Sequence, residues 1–578
     1  MSDRKESTFE AVCLDQKMVT ELSGDFILPD KYPDAKRILR VRARPIAGNN
    51  FVGGKKLEYS GSVDYIVVFS AEAPIENDAS NCTNVSEGVA DVTDISSEHD
   101  ASAKEIVQND GQFNESIHAV HFAVDYSGSV DIPEGCEVSL SEIEVIPEIE
   151  NCGAKLANPR KFTIRTTLAN NITLTRTLDC EPTVNGAPPG ERRKLQDLTR
   201  NYQTLLRKRR KIAAEHFSAD IESDPSDPPI AEIITCDAEI HFDEARIADD
   251  GSAMLKGEVL LDCVCLSENN SGDGNNSGNY FCVTKKIPVN TTADAKEFMN
   301  AFAAAIPGTF ALFATGEPTE INASVAENSF GERRVIELDL DYDICLCGGA
   351  NADTPLTLDA YSTDKELECR TEKQRLCKMT KMQPANFSVS ESVPLNALGN
   401  FSSSERLNVT DMEADVRFVK VTITKGRLML EGVAEMSCIV QNDGQYLPCE
   451  PKIPVRCELN IGDTSAINES ALTFRCEAKA TDLRARVDKS QMTFDFEVTL
   501  NLMLLERQDI DRICEIKILG DRPSVTEKCS ILLCYPAKTD DLWQIAKRFA
   551  TTKEELETLN PDLSAGDIPR VLMIPNRK

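Results

Sequence analysis

A short run of alternating apolar and polar residues, followed at a nearly fixed distance by a glycine, occurs three times along the chain. This recurrence constrains the fold more than any composition figure, because a repeated spacing implies a repeated supersecondary unit. Ile38-Leu39-Arg40-Val41-Arg42-Ala43 precedes Gly61, Ile233-Ile234-Thr235-Cys236-Asp237-Ala238 precedes Gly257, and Met412-Glu413-Ala414-Asp415-Val416 precedes Gly432. Counted from Ala43, Ala238 and Ala414, the glycines lie 18, 19 and 18 positions on. After each glycine the apolar-polar alternation marks a strand, whose side chains point to opposite faces with period two. A hairpin tip follows: Asn442-Asp443-Gly444-Gln445 in the third copy, the Ser, Asn and Gly-rich stretch 267–279 in the second, and a polar, acidic insertion over 76–112 in the first. Return strands at 118–124, 281–289 and 449–455 and closing strands at 160–168, 334–346 and 492–504 complete each unit. The expected fold is therefore mainly β, with three tandem β-sandwich-like or partly open barrel repeats over 1–182, 229–383 and 384–527.

The 578 residues exceed one ordinary hydrophobic core. No apolar run is long enough to cross a bilayer as a helix, so no membrane span is expected. Ninety-five acidic against 63 basic side chains give a formal charge of -32, which repels phosphate backbones and excludes nucleic acid as a main partner. The start Met1-Ser2-Asp3-Arg4-Lys5-Glu6-Ser7 has no apolar secretory stretch, and the cytoplasm is the expected compartment. Twenty cysteines then read as reduced, mostly buried thiols, with oxidative cross-linking after assembly as the alternative.

The basic stretch 191–216 departs from the acidic background. Leu195, Leu198, Tyr202, Leu205 and Ile212 recur at helical spacing, which predicts an amphipathic helix within a connecting segment over 183–228. Its bases would dock on the chain's own acidic domains, or on a partner or membrane surface.

A different pattern starts near residue 528. Ile531 to Tyr535 reads as a strand; Asp540-Asp541 cap a helix whose inner stripe is Leu542, Ile545, Ala546 and Phe549. A second helix carries Leu556 and Leu559 inward and ends at Asn560-Pro561, and Val571 to Pro575 is the closing strand. The segment 528–578 is thus a small α+β domain of βααβ order.

Catalytic and metal motifs are absent from any matching context, and five histidines leave few candidate bases, so no catalytic residues and no cofactor are expected. His118 and His121 fall on opposite strand faces. Cys263 with Cys265, and Cys345 with Cys347, are the nearest approach to a thiolate zinc site. Parity places the first pair with Val259 and Leu261 in the core and the second with Glu337, Asp339, Asp341 and Asp343 toward solvent, so no metal is expected.

The run Asp25-Phe26-Ile27-Leu28-Pro29-Asp30, with Pro33-Asp34-Ala35-Lys36-Arg37-Ile38-Leu39 and the later Asp359-Ala360-Tyr361-Ser362-Thr363, resembles the SPOCS domain, which occurs as tandem copies in proteins associated with bacterial endospore coat assembly. Asp541-Leu542-Trp543-Gln544-Ile545-Ala546-Lys547-Arg548-Phe549, Leu559-Asn560-Pro561 and Leu572-Met573-Ile574-Pro575 resemble a LysM domain. The SPOCS resemblance implies a structural assembly protein of the endospore envelope, placed in the mother-cell cytoplasm at the forespore surface, with spore coat morphogenetic proteins as partners. The LysM resemblance implies binding of N-acetylglucosamine-containing peptidoglycan or cortex glycan, through Asp540, Asp541 and Leu542 on one side and Asn560, Pro561, Asp562, Asp567 and Ile568 on the other. Thr539 and Pro569-Arg570 replace the family's usual glycine and Gly-Gln pair, which favours protein docking by the same module. A general peptidoglycan-binding cell-wall protein outside sporulation is the alternative.

Overall fold

The computed structural model describes residues 8–72, 115–134, 136, 143–186, 195–268, 279–399, 401, 407–424, 426–442, 444–461, 471–522, 531–537, 540–561, 563 and 568–575. The described chain is mainly β. The insertion over 76–112 and Arg192, Arg193 and Lys194 lie outside the described residues.

Strands β1 (Thr8–Ile27), β2 (Ala35–Gly53), β3 (Lys56–Glu72), β4 (Glu115–Asp131), β5 (Ile143–Asn158) and β6 (Lys161–Asp179) form two antiparallel sheets, ordered β1-β6-β5 and β2-β3-β4. A short β7 (Thr183–Asn185) leads to β8 (Leu195–Glu222), β9 (Ile230–Ile247), β10 (Ser252–Ser267), β11 (Tyr280–Asp294), helix α1 (Lys296–Ala301), β12 (Ala311–Glu327) and β13 (Arg333–Ser362). Here β9 also pairs with β12, at Thr315 with His241 and Gly316 with Ile240, and the result is one curled sheet ordered β11-β10-β9-β12-β13-β8. Next come β14 (Lys365–Pro394), α2 (Leu395–Leu398), β15 (Leu407–Thr424), β16 (Arg427–Asn442), β17 (Gln445–Cys449), β18 (Lys452–Asn460), β19 (Leu472–Val487) and β20 (Gln491–Asp521). They pair as β14-β20-β19 and as β15-β16, with β17 and β18 both on β16. In all three groups the opening strand pairs with the closing strand, and the intervening hairpins pair in chain order.

The glycines of the repeated spacing share one job. A Cβ at Gly61 would meet the carbonyl oxygen of Ile46, at Gly257 that of His241 and at Gly432 that of Arg417, each well inside van der Waals contact. Gly61 pairs with Ala47, Gly257 with Phe242 and Gly432 with Phe418, four residues after Ala43, Ala238 and Ala414 respectively. A register shift occurs beside each pair, so a bulged strand presses its backbone where only glycine leaves room. The Leu28-Pro29-Asp30 turn is held by Arg160, whose guanidinium donates to the carbonyls of Leu28 (3.0 Å), Pro29 (2.9 Å) and Tyr32 (2.9 Å).

The basic stretch is not an amphipathic helix. Residues 195–222 form β8 and pair with β13 from Leu195–Ser362 to Glu222–Val335. The helical spacing of the leucines yields to a second, period-two pattern: Arg207, Arg209 and Lys211 share one strand face. Lys211 reaches Glu317 at 2.8 Å and Asp343 at 3.1 Å, and Arg207 and Arg209 reach Glu144 at 2.6 and 3.1 Å. Cross-strand pairing and matched charge outweigh the helix propensity of a stretch rich in Leu, Arg and Lys.

The three groups meet through equivalent strands. Each of β1, β8 and β14 touches the other two, and Phe9, Leu356, Leu376 and Ile510 share a buried cluster there. Around β2, β9 and β15 the contact is ionic. Arg42, Asp237 and Glu413, each immediately preceding the aligned alanine, come together: Arg42 pairs with Asp237 and lies 3.4 Å from Glu413 and 3.1 Å from Glu239. Buried Arg40 lies 2.5 Å from Asp411 and 3.3 Å from Glu413. A second junction centres on Glu144, which Arg207, Arg209 and Arg475 approach from β8 and β19.

Candidate functional site

The C-terminal module consists of β21 (Ile531–Cys534), α3 (Leu542–Arg548), α4 (Lys553–Leu559) and β22 (Leu572–Pro575). The strands pair antiparallel, Leu533 opposite Met573 and Cys534 opposite Leu572. Ile545, Ala546, Leu556, Leu563, Leu572 and Ile574 fill a core between the helices and one face of this hairpin. Asp541 caps α3 by accepting from the Gln544 backbone N–H at 2.7 Å. Thr552 and Glu555 form a reciprocal capping box on α4.

The side chains expected to bind a ligand are mostly engaged within the module. Asp540 accepts from the Ala537 N–H and pairs with Arg548 at 3.3 Å. Leu542 and Ile568 pack against the core. Asn560 is buried; its amide nitrogen donates to the carbonyls of Leu556 (2.8 Å) and Met573 (2.7 Å), and its Oδ1 accepts from the Met573 N–H (2.7 Å). Asn560 is therefore a latch between the end of α4 and β22. Pro561 is exposed, and Asp562 and Asp567 lie outside the described residues.

The module is seated on the end of β13. The Trp543 ring meets Tyr361 edge-on at 4.9 Å, and its indole N–H donates to Asp359 Oδ2 at 2.8 Å. Lys547 Nζ reaches Asp359 Oδ1 at 2.6 Å, and the Tyr361 hydroxyl donates to the Thr551 carbonyl at 2.7 Å. A register shift between Thr357 and Asp359 re-aims β13 at this point. Trp543 thus packs on Tyr361 from beside the Leu542, Ile545, Ala546 and Phe549 stripe, and its polar edge is committed to a residue 184 positions earlier. No local signal could have revealed that pairing.

Among the described residues one cluster has the donor types of a metal site: Asp262, Cys282 and Asp411 place ligand atoms within 4.8 Å of one another. Its three groups engage one another and Arg40 directly. Burial, with Asp411 close by, pushes the Asp262 carboxyl up to about 7, and burial raises the Cys282 thiol as well. Cys282 donates to Asp262 at 2.7 Å, and Arg40 already neutralises Asp411. The two Cys-x-Cys pairs have separate surroundings. Cys263 and Cys265 are fully buried beside Cys236, whereas Cys345 accepts from Arg209 Nε at 2.8 Å. Cys345 is buried rather than turned to solvent, because β8 and its arginines cover that face. Cys13 and Cys136 form a disulfide, which departs from an all-thiol reading, and the other described cysteines are not disulfide-bonded.

At Glu144, burial opposes ionisation, but Arg207, Arg475 and Arg209 overcome it and hold the carboxyl down at about 2. A carboxylate so compensated is a structural anion and not a proton carrier near neutral pH. Comparison with known protein families, with curated proteins and with solved structures finds no match to this chain.

Proposed function

We propose that the chain is a non-enzymatic assembly protein of the bacterial endospore envelope, built from three divergent SPOCS-like copies of one domain and a LysM-like module that engages a protein partner. The observation that carries this reading is the meeting of Arg42, Asp237 and Glu413, aligned positions of the three groups, at one ionic junction. The charged side chains that might have served chemistry here are spent on joining the three groups. A three-part body joined by ionic and apolar contacts, with an appended module, suits holding partners in place better than turning over a substrate. Protein docking is preferred over glycan binding because Asp540, Asp541 and Asn560 already hold the module together.

The test is localisation combined with capture. A fluorescent fusion should gather at the forespore rim in sporulating cells, and a chain ending at Lys528 should lose a protein partner that the full chain retains. Vegetative wall localisation, or loss on truncation of glycan sedimentation alone, would sink the reading.

A further inference from the structure

Two cysteines of the second group face each other across neighbouring strands. Cys236 on β9 is the direct pairing partner of Cys263 on β10, so both side chains stand on one face of the sheet. The Cys263 thiol donates to the Cys236 sulfur at 3.0 Å, closer than two sulfurs rest in van der Waals contact. Directly paired antiparallel residues have Cα atoms about 4.5–5.5 Å apart, within the span that a disulfide bridges, and the sulfurs need to approach by only about 1 Å. Packing alone does not ask for two thiols here. At the equivalent positions, counted from the aligned alanine and the bulge glycine, the first group has Val41 opposite Val67 and the third has Met412 opposite Cys438. Cys265, the next thiol along β10, is fully buried and directs its S–H to the Cys263 carbonyl at 3.8 Å.

The two thiols differ in access and in role. Cys236 is partly exposed and Cys263 is fully buried, so a small oxidant meets Cys236 first. Cys263 gives the hydrogen bond and Cys236 receives it; that bond, with burial, holds the Cys263 thiol protonated and leaves Cys236 as the sulfur that attacks. We propose that Cys236 and Cys263 are a disulfide-forming site, closed by exchange with a small-molecule disulfide. Cys236, as its thiolate, attacks one sulfur of the small disulfide, whose S–S bond breaks; a mixed disulfide forms on Cys236, and the departing thiolate takes up the proton that Cys236 lost. Cys263 then gives up its proton, its sulfur attacks Cys236 Sγ, and the second small thiol leaves with that proton. Two protein thiols are oxidised to one cystine, and one small disulfide is reduced to two thiols. The bond ties β9 to β10 beside Asp237, which pairs with Arg42 of the first group, and beside Asp262, which approaches Asp411 of the third. It fastens the second group where it meets the other two, whatever partner the chain engages.

In the test, the full chain is reduced, freed of reductant, treated with oxidised glutathione, quenched in acid and mapped by mass spectrometry. Cys236→Val and Cys263→Val are treated in parallel; valine is what the first group carries at both equivalent positions. The wild type should lose both thiols, gain a Cys236–Cys263 link and retain no glutathione at either. Cys263→Val should stop with glutathione bound to Cys236, and Cys236→Val should leave Cys263 reduced. The link should form at least tenfold faster than any link between Cys438 and Cys449, which are also direct cross-strand partners but are both buried. Unchanged far-UV circular dichroism establishes that the variants stay folded, and the wild-type map decides the matter even where one does not. An unmodified Cys236, a glutathione adduct that persists on the wild type, or a Cys236–Cys265 link in place of Cys236–Cys263 overturns the inference. So does equal speed at the two cross-strand pairs, since oxidation would then follow unfolding and not access.

Discussion

Replacing Asn560 by alanine separates a ligand-binding role from a structural one. Three hydrogen bonds disappear, two donated by the amide nitrogen to Leu556 and Met573 and one accepted from the Met573 N–H. At about 1 kcal/mol net for each, the loss is about 3 kcal/mol, and more where the Met573 N–H is left without an acceptor. A module of this size has a stability of only about 3–7 kcal/mol. The substitution therefore removes a large share of it. Trp543 is the only tryptophan in the chain, so its emission reports this module against a background of none from the β body. With a urea dependence of about 1 kcal/mol/M for so small a unit, the Trp543 transition should move down by about 3 M. Far-UV circular dichroism of the strands should keep its midpoint. A shift below about 0.5 M, with glycan or partner binding lost, would refute the latch argument and return Asn560 to a ligand-contacting role.

Acid titration should expose the Glu144 junction: its carboxyl is held at about 2 against an ordinary 4.5, so it contributes about 3 kcal/mol above pH 4.5 that is lost as pH falls toward 2. Urea midpoints measured across that window should fall steeply for the wild type and more gently for Glu144→Gln. Gly432→Ala, which drives a Cβ into the Arg417 carbonyl, should cost about 2–3 kcal/mol by urea unfolding, whereas Gly520→Ala, with open space around it, should be silent. Asp359→Ala releases both Trp543 and Lys547, and should red-shift Trp543 emission and increase its quenching by iodide while leaving the melting of the β body in place. Arg42→Glu places a third acid against Asp237 and Glu413 and should cost about 3–5 kcal/mol; adding Glu413→Arg should recover much of that by restoring one base among acids, again read by urea unfolding.

Much of the strand grammar was legible because period-two alternation and the glycine spacing are local signals. The glycines could be found without knowing that a bulge presses a carbonyl onto each of them. Residues 195–222 imitate a helix because their leucines happen to satisfy a helical spacing. The decisive partner, β13, lies more than a hundred residues away, and only the alternation of Arg207, Arg209 and Lys211 hinted at it. The candidate site was legible in its framework: Asp541 as a helix cap and the inward stripe of α3 follow from residue type and spacing. The roles of Asn560 and Trp543 were not, because each depends on a backbone or side chain brought from elsewhere in the chain. Opposite faces of β22 also look alike in sequence, since Leu572, Met573 and Ile574 are all apolar; only packing distinguishes the buried pair from the exposed Met573.

On the proposed reading of three copies of one domain, the ionic junction accounts for groups that keep spacing but not identity. Were they identical, position 42 and its equivalents would carry three like charges at one point, and burial would make that repulsion costly. One basic and two acidic residues remove the conflict, with Arg40 and Lys479 balancing Asp411 and Glu239 around it. Such asymmetry needs three non-identical units, and fusing them in a single chain fixes which unit carries the base. The bulge glycines answer to a different constraint, imposed within each group by its own paired strand, and so they recur unchanged. Divergence at the contacts between groups and constancy within them are thus two consequences of one architecture.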